Sequence, residues 1–213
     1  MTPPAIPIEA ALQRSHDLGL LGPGAIDPHV RHAEAFSALI PPGSRVLDLG
    51  SGGGVPGLIV AVDRADLTVV LLDAGARRIA FLRWAIRQLD LGERVTVAHG
   101  RAEMLGHDPD LRESFDVVAA RSFAAPAATA ECASGFVRSG GVVLVSDPPR
   151  GDAVESEMID SNRWSVAGLD RLGLRDDGCR ATDDATIRVL SKVAPSPDEY
   201  PRAEGLPERR PLF

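Results

Sequence analysis

A glycine-rich segment is the part of the sequence best suited to holding a ligand. It runs from Asp48 to Gly57 and reads Asp-Leu-Gly-Ser-Gly-Gly-Gly-Val-Pro-Gly. Glycines allow backbone N–H groups to approach a bound molecule closely, because they lack a Cβ and accept positive φ angles. An apolar run at 46–49 precedes the segment, and a helical pattern at 58–62 follows it. We therefore expect a strand–loop–helix unit with its binding groups at the end of the strand.

Two classes of ligand fit the spacing of these glycines. Read from Gly52, the segment satisfies GxGxxG, the pattern of dinucleotide-binding loops. Read from Asp48, it is DxGxGxG, the first motif of class I methyltransferases that bind S-adenosylmethionine (AdoMet). The first glycine belongs at the strand end, which is Gly50, and in that register Val55 occupies the place of the third dinucleotide glycine. The register favours AdoMet beside Gly50 and Gly52, with a purely structural turn as the alternative.

Two carboxylates follow the next two strand-like segments. Asp73 ends the run at 68–72, 23 residues after Gly50, where a carboxylate can accept both hydroxyls of a ribose in either cofactor class. Ala102 and Glu103 follow the third strand, where methyltransferases bind adenine through a backbone amide and an acidic side chain. Each carboxylate alone could be a solvated strand end or a helix-start residue. In series with Gly50, both favour AdoMet.

Few residues are available for other chemistries. The only tyrosine, Tyr200, and the only lysine, Lys192, cannot form the YxxxK pair of a common class of dehydrogenase. The two cysteines lie in no CxxC motif and the five histidines in no HExxH motif, so we expect no metal site. The segment 147–149, Asp-Pro-Pro, resembles the DPPY motif of DNA methyltransferases, but it follows the fifth strand, and Arg150 replaces the aromatic residue. We interpret it as a loop stiffened by prolines.

The charge balance restricts the class of partner. The 213 residues include 23 Lys and Arg against 30 Asp and Glu, giving a formal net charge of −7. An acidic chain is unsuited to coating nucleic acid without regard to sequence, although a selective RNA enzyme with a local basic patch remains compatible. Neither a signal-peptide layout nor an apolar run of about 18 residues is present, so we expect a cytoplasmic protein without membrane contact.

The periodicity predicts an α/β fold. Helical patterns alternate with short apolar runs, which indicates a mostly parallel seven-stranded sheet with helices on both faces, the class I AdoMet-dependent methyltransferase (Rossmann-like) fold. We expect a single domain, 1–213, with an N-terminal helical extension (1–43), a Rossmann-like core (44–193) and a Pro/Arg-rich tail without regular structure (194–213). A helix is also expected near 152–161. The predicted strands are 46–49, 68–72, 95–97, 115–119, 142–145, 165–169 and 186–193.

The sequence resembles the family of ribosomal RNA small-subunit methyltransferase G, also called glucose-inhibited division protein B. The resemblance is carried by GLLGP at 19–23, GSGGGVPG at 50–57, LLDAGARRIAFLR at 71–83, GRAE at 100–103, ARSFA at 120–124 and YPRAEGLPERRPL at 200–212. It implies AdoMet-dependent methylation of N7 of a guanosine in small-subunit (16S) rRNA. The family's AdoMet contacts fall on Gly50, Val55, Ala102, Glu103 and Arg121.

This activity requires few catalytic groups. Guanine N7 has a free lone pair and no proton to remove, so we expect positioning of N7 rather than a general base, and no catalytic residue is assigned. The expected partner is small-subunit rRNA or the assembling ribosomal subunit, bound by a monomer. The RNA contacts that the resemblance suggests are Arg31, His32, Arg77, Arg78, Arg83, Arg87, Arg209 and Arg210.

One position departs from the family pattern. The fifth strand typically runs into Leu-Lys-Gly, whereas Ser146, Asp147 and Pro148 stand here. An anion in place of a cation near the expected RNA path would invert the local electrostatics. Two alternatives therefore stay open. One is a methyltransferase paralogue acting on a small molecule or another RNA, and the other is an AdoMet-binding protein without catalysis.

Overall fold

One mixed sheet of seven strands organises the residues that the computed structural model describes, 6–148 and 163–213. The strands are β1 (Arg45–Leu49), β2 (Thr68–Asp73), β3 (Val95–His99), β4 (Phe115–Ala120), β5 (Val137–Asp147), β6 (Leu174–Ala181) and β7 (Thr186–Lys192). Their order is β3-β2-β1-β4-β5-β7-β6. The first five strands pair in parallel, whereas β7 is antiparallel to both β5 and β6. This arrangement confirms the predicted fold class.

Helices cover both faces of the sheet. They are α1 (Ile8–Asp17), α2 (Asp27–Ser37), α3 (Gly57–Asp63), α4 (Ala76–Gln88), α5 (Ala102–Leu105), α6 (Pro126–Ser134), α7 (Val166–Arg171) and α8 (Leu206–Arg209). Strand side chains alternate between the faces. Val69 and Leu71 pack with α3 and α4. Val70 and Leu72 pack with α6 and α7. Across the described ranges, no helix is both long and apolar enough to cross a membrane.

The N-terminal helices lie against the glycine-rich segment. Ala11, Leu12 and Ser15 of α1 are buried, as their helical spacing predicts. The Ser15 hydroxyl donates to the Gly53 carbonyl at 2.9 Å. The 19–24 turn, which joins α1 to α2, also approaches this segment, because a Cβ on Gly53 would lie 2.7 Å from the Leu20 carbonyl oxygen. The helical extension therefore forms one wall of the crevice above β1.

Two predictions about the last third of the chain were wrong. Residues 165–169, predicted as a strand, lie in the N-cap and first turns of α7, where the Ser165 hydroxyl accepts a hydrogen bond from Gly168 N at 3.3 Å. The sixth strand is instead the polar β6. The tail also contains the short helix α8, since Gly205 adopts a φ of +69° and Pro207 suits a helix start. The predicted helix at 152–161, together with Pro149 and Arg150, lies outside the described residues.

The only lysine is a core residue. Lys192 has a fully buried side chain, and its Nζ donates to the carbonyls of Ser134 at 3.1 Å and Leu172 at 2.9 Å. It also hydrogen-bonds the Ser196 hydroxyl and lies 3.4 Å from Glu113 Oε1. Burial lowers the pKa of this amine to about 8, although Glu113 opposes the shift. Lys192 therefore joins the end of β7 to α6 and takes no part in the site below.

Candidate active site

The carboxyl ends of the parallel strands open into one crevice, on either side of β1. Strand order reverses at β1, which pairs with β2 on one side and β4 on the other, and open α/β sheets bind ligands at such a point. Three adjoining cavities occupy the crevice. We name them the Glu103 cavity (about 160 Å³), the glycine-loop cavity (about 280 Å³) and the Ser146 cavity (about 470 Å³). Ser122, just after β4, lines all three.

The structure brings every predicted cofactor residue into this crevice. Gly50 lines both of the first two cavities. The Glu103 cavity is further lined by Asp73, Ala102 and Glu103. The glycine-loop cavity is further lined by Gly52, Val55 and Arg121. These residues come from four separate loops, so their convergence follows from the strand order of the sheet.

The glycine loop has a backbone that side chains rarely permit. Gly50, Gly52 and Gly54 have φ angles of +75°, +51° and +93°. A Cβ on Gly50 would also lie 2.5 Å from Phe123 Cδ2, so the loop passes close beneath the aromatic ring. The Gly50 N–H donates to the Leu72 carbonyl at 2.9 Å, which ties the loop to the neighbouring strand β2. The resulting cradle leaves room for a ligand between the loop and the N-terminal helices.

Asp48 supports this loop from below. Its side chain is buried, and Oδ2 accepts a hydrogen bond from the Gly57 N–H at 3.1 Å. Within the described residues, Oδ1 has no hydrogen-bond partner. Burial raises the pKa of Asp48 to about 7. Asp48 is therefore a loop-supporting residue that gains its proton near neutral pH.

Asp73 fits the role of a ribose-binding carboxylate. It is 3% exposed; Oδ2 accepts from Gly52 N at 2.9 Å and Oδ1 from Gly75 N at 2.7 Å. A carboxylate has about four acceptor positions, so two remain for a pair of ligand hydroxyls. Arg78 Nη1 lies 3.6 Å from Oδ1. The carboxylate is thus both fixed and still able to bind a ligand.

Glu103 is the second fixed carboxylate. It is 4% exposed, and Oε1 accepts from Arg101 Nη2 at 2.8 Å and from the Gly205 N–H at 2.9 Å. Burial opposes ionisation, but the hydrogen bonds from Arg101 and Gly205 outweigh it and hold the pKa of Glu103 below its usual value. Two carboxylates, Asp73 and Glu103, therefore line the same cavity. Such a pair would suit an adenosine, whose ribose diol and exocyclic amine both donate hydrogen bonds.

Arg121 connects the glycine-loop and Ser146 cavities. Its Nη2 lies 2.7 Å from His29 Nδ1, which must accept this bond, so the proton of the neutral imidazole resides on Nε2. His32, one helical turn further along α2, pairs its Nε2 with the Ser146 hydroxyl at 2.9 Å. Burial, with Arg121 and His29 adding to it, lowers the pKa of His32 to about 4. Both histidines are therefore neutral at pH 7.

The sequence analysis did not predict His29 as a site residue. No motif contains it, and the spacing of His29 and His32 at i and i+3 was the available signal that α2 turns both rings to one face. The described residues contain no group of three His, Cys, Asp or Glu that could hold a metal ion.

Asp147 does not present an uncompensated negative charge. Its side chain is 5% exposed, with Arg163 Nη2 at 3.2 Å from Oδ1 and Arg188 Nε at 3.1 Å from Oδ2. The Trp164 Nε1–H donates to the same carboxylate at 3.2 Å. Arg163 also lines the Ser146 cavity, so a cation remains at this position. The inverted electrostatics expected from sequence are offset by these partners.

The predicted RNA-contacting side chains divide into two groups. His32 and Arg78 lie in the crevice, where His32 lines the Ser146 cavity and Arg78 lines the other two cavities. The remaining six lie outside these cavities. Arg31 pairs with Asp184 at 2.8 Å, which joins α2 to the β6–β7 turn. Arg77 donates to the Leu18 carbonyl at 3.3 Å. Arg83 and Arg87 are exposed on α4. In the tail, Arg209 and Arg210 are likewise exposed.

Comparison with known proteins identifies close sequence relatives. The sequence model of the GidB family, described as rRNA small subunit methyltransferase G, matches residues 26–166. The chain is 38% identical over 172 residues to ribosomal RNA small subunit methyltransferase G of Roseiflexus castenholzii, covering 80% of this chain and 71% of that protein. It is 34% identical over 178 residues to the protein of the same name from Moorella thermoacetica, covering 83% and 73%.

The fold is similar to that of solved AdoMet-binding proteins. Aeropyrum pernix fibrillarin, crystallised with natively bound S-adenosyl-L-methionine, superposes with a TM-score of 0.58. The alignment has 19% sequence identity and covers 76% of this chain and 75% of fibrillarin. This similarity concerns the fold alone.

Proposed function

The chain belongs to the rRNA small subunit methyltransferase G family, and from this premise we propose that it methylates N7 of one guanosine in 16S rRNA. The cofactor is AdoMet. One observation carries the proposal: a cofactor-sized pair of cavities and a separate acceptor-sized cavity adjoin at Ser122. Methyl transfer requires such a meeting point, since donor and acceptor atoms must come into line.

We assign the cofactor contacts to seven residues. They are Gly50, Gly52, Val55, Asp73, Ala102, Glu103 and Arg121. Asp73 would accept from the ribose hydroxyls, while Glu103 and the Ala102 amide would bind adenine. The glycine loop, Val55 and Arg121 would surround the methionine portion. The fit is supported by the free acceptor positions of Asp73 and by the close approach of Gly50 to Phe123.

The acceptor base would occupy the Ser146 cavity. AdoMet, when bound, supplies a methyl group on a sulfonium sulfur, and guanine N7 can accept it without losing a proton. The neutral His32 is hydrogen-bonded to Ser146 and is not required as a base. Phe123 presents an aromatic ring to the cavity, a surface suited to stacking on a nucleobase. Orientation of this kind can contribute about 7–11 kcal/mol to a bimolecular reaction.

A methyl-transfer assay tests the proposal. Purified enzyme and tritiated AdoMet are incubated with small ribosomal subunits from cells lacking the gene, and the rRNA is digested to nucleosides. We expect tritium in 7-methylguanosine, with little incorporation into subunits from wild-type cells, which are already methylated. Unchanged 7-methylguanosine in 16S rRNA after deletion of the gene would contradict the proposal.

A small-molecule acceptor is the second candidate. Asp183 lines the Ser146 cavity beside Asp147 and Asp184, whose charges are already paired with arginines, so Asp183 is the carboxylate that favours an amine-bearing compound. Transfer to a metabolite fraction but not to ribosomal subunits would support this candidate. Binding of AdoMet by calorimetry without transfer to either fraction would support a binding protein without catalysis.

We further propose that one chain is sufficient for activity. Residues of the extension (1–43), core (44–193) and tail (194–213) line the same crevice, which supports a single domain acting as a monomer. A family that acts on rRNA supports a cytoplasmic location and the small subunit, free or during assembly, as the partner. Sedimentation of the protein alone would measure its oligomeric state, and sedimentation with small subunits would measure how many copies bind to each subunit.

A further inference from the structure

The C-terminal segment 200–213, which we call the tail strap, reaches the Glu103 cavity. Pro207, which is buried, and Glu208, which is exposed, line this cavity together with Asp73 and Glu103. They stand more than 100 residues after Glu103 in the sequence. One wall of the cavity therefore comes from a part of the chain that lies beyond the Rossmann-like core.

A buried ion pair fixes the strap to α6. Glu131 is fully buried, and its carboxylate accepts from Arg202 Nε at 2.9 Å, from Arg202 Nη2 at 2.7 Å and from the Arg202 backbone N–H at 2.8 Å. A buried carboxylate without its partner would be strongly unfavourable. The Tyr200 carbonyl accepts from Arg112 Nη1 at 2.8 Å on the other side. The strap is thus held at two points before it reaches the cavity.

The strap also positions one of the site carboxylates. Gly205 adopts a φ of +69°, and its N–H donates to Glu103 Oε1, the same oxygen that Arg101 binds. The orientation of the Glu103 carboxylate therefore depends on the strap. Next to this contact, the pyrrolidine ring of Pro207 adds an apolar surface to a cavity whose other apolar lining includes Ala128 and Cys132.

We propose that the tail strap forms part of the adenine subsite, with Pro207 packed against the base and Gly205 orienting Glu103. A purine has two apolar faces and polar edges, so it needs an apolar wall beside a fixed acceptor. Pro207 supplies the wall and Glu103 the acceptor. This inference rests on the proposed function only for the identity of the cofactor, and not on the acceptor guanosine.

Calorimetry of a matched pair of variants tests the inference. Pro207→Ala removes the ring while keeping a good helix former, and Pro211→Ala makes the same change at an exposed position of the strap. We expect Pro207→Ala to bind S-adenosylhomocysteine about 10-fold more weakly and Pro211→Ala to bind within twofold of wild type. The loss should be the same for 5′-methylthioadenosine, which lacks the amino-acid portion. Equal affinity of the two variants would overturn the inference.

Proteolysis supplies a second readout that does not depend on activity. Arg209 is exposed in the strap, whereas the exposed Arg138 is the second residue of β5, at the opposite edge of the sheet. At a concentration of S-adenosylhomocysteine near the wild-type Kd, we expect the ligand to slow tryptic cleavage after Arg209, but not after Arg138, and to protect Pro207→Ala much less. Absence of protection in wild-type protein that binds the ligand would contradict the inference. If wild-type protein bound neither S-adenosylhomocysteine nor 5′-methylthioadenosine, the result would instead contradict the assignment of AdoMet as the cofactor.

Discussion

Asp73 both holds the glycine loop and lines the Glu103 cavity. It accepts from the backbone N–H groups of Gly52 and Gly75 and retains two acceptor positions. We expect Asp73→Ala to weaken AdoMet binding about 10- to 100-fold, because hydrogen bonds to a charged group each contribute about 1.5–3 kcal/mol. Calorimetry measures the change, and Asp63→Ala, at an exposed helix end, should bind normally. Normal affinity of Asp73→Ala would exclude a ribose contact.

Asp48 should make stability depend on pH. Its pKa is raised to about 7 by burial, so the folded protein holds a proton that the unfolded chain releases near pH 4. The contribution of the protonated Asp48 to the free energy of unfolding is fully present below pH 4 and is lost as the pH rises through 7. Urea denaturation between pH 5 and 7 tests this. We expect the free energy of unfolding of wild type, measured relative to that of Asp48→Asn, to fall by about 1.4 kcal/mol per pH unit. A constant difference would show that Asp48 is ionised throughout.

Sequence reasoning predicted which residues after the strand ends line the crevice. Gly50, Asp73 and Glu103 were predictable because parallel strands place their carboxyl ends along one edge of the sheet. His29 and Pro207 were not predictable as cavity residues, because they reach it through tertiary packing of α2 and of the tail strap. The partners of Asp147 were missed for the same reason, since Arg188 lies on the neighbouring antiparallel strand, two residues beyond the position opposite Asp147.

At the scale of elements, the loop between β1 and α3 depends on a glycine at its end. A Cβ on Gly57 would collide with Asp48 Oδ2 and lie 2.5 Å from Leu71 Cδ2. We expect Gly57→Ala to lower the free energy of unfolding by about 1–3 kcal/mol through overpacking. A Cβ on Gly92 would meet nothing within 4 Å, so Gly92→Ala is the matched control and should be neutral. Thermal denaturation compares them, and equal melting temperatures would contradict the prediction.

The errors in element prediction have local physical causes. Residues 165–169 form a short apolar run, and such runs do not distinguish a strand from a buried helix. Ser165 as N-cap was the missed signal, since its hydroxyl caps Gly168 N. β6 reads Leu-Arg-Asp-Asp-Gly-Cys-Arg-Ala and shifts register between Asp176 and Cys179. A polar edge strand of this kind lacks the apolar pattern by which the central strands were predicted.

At the scale of the whole molecule, arginines on α4 offer a local basic surface on an acidic protein. Arg83 and Arg87 are exposed and one helical turn apart. If both contact phosphates, replacing them by glutamine should reduce the slope of log affinity against log salt by about 1 to 2. AdoMet affinity should remain unchanged.

A matched double variant separates this effect from net charge. Arg138→Gln with Arg175→Gln removes two exposed arginines, one at the amino-terminal edge of the sheet and one on β6. We expect the salt slope for binding to small subunits, measured by filter binding, to stay at the wild-type value. Equal slopes for the two double variants would assign RNA binding to another surface.

The burial of Lys192 has a practical consequence for spectroscopy. A sample labelled with ¹⁵N only in lysine carries a single side-chain probe, because the chain contains one lysine. That amine is enclosed by the Ser134 and Leu172 carbonyls, so its protons should exchange slowly with solvent and give a resolved NMR signal. The signal would report opening of the contact between β7 and α6, without interference from the surface.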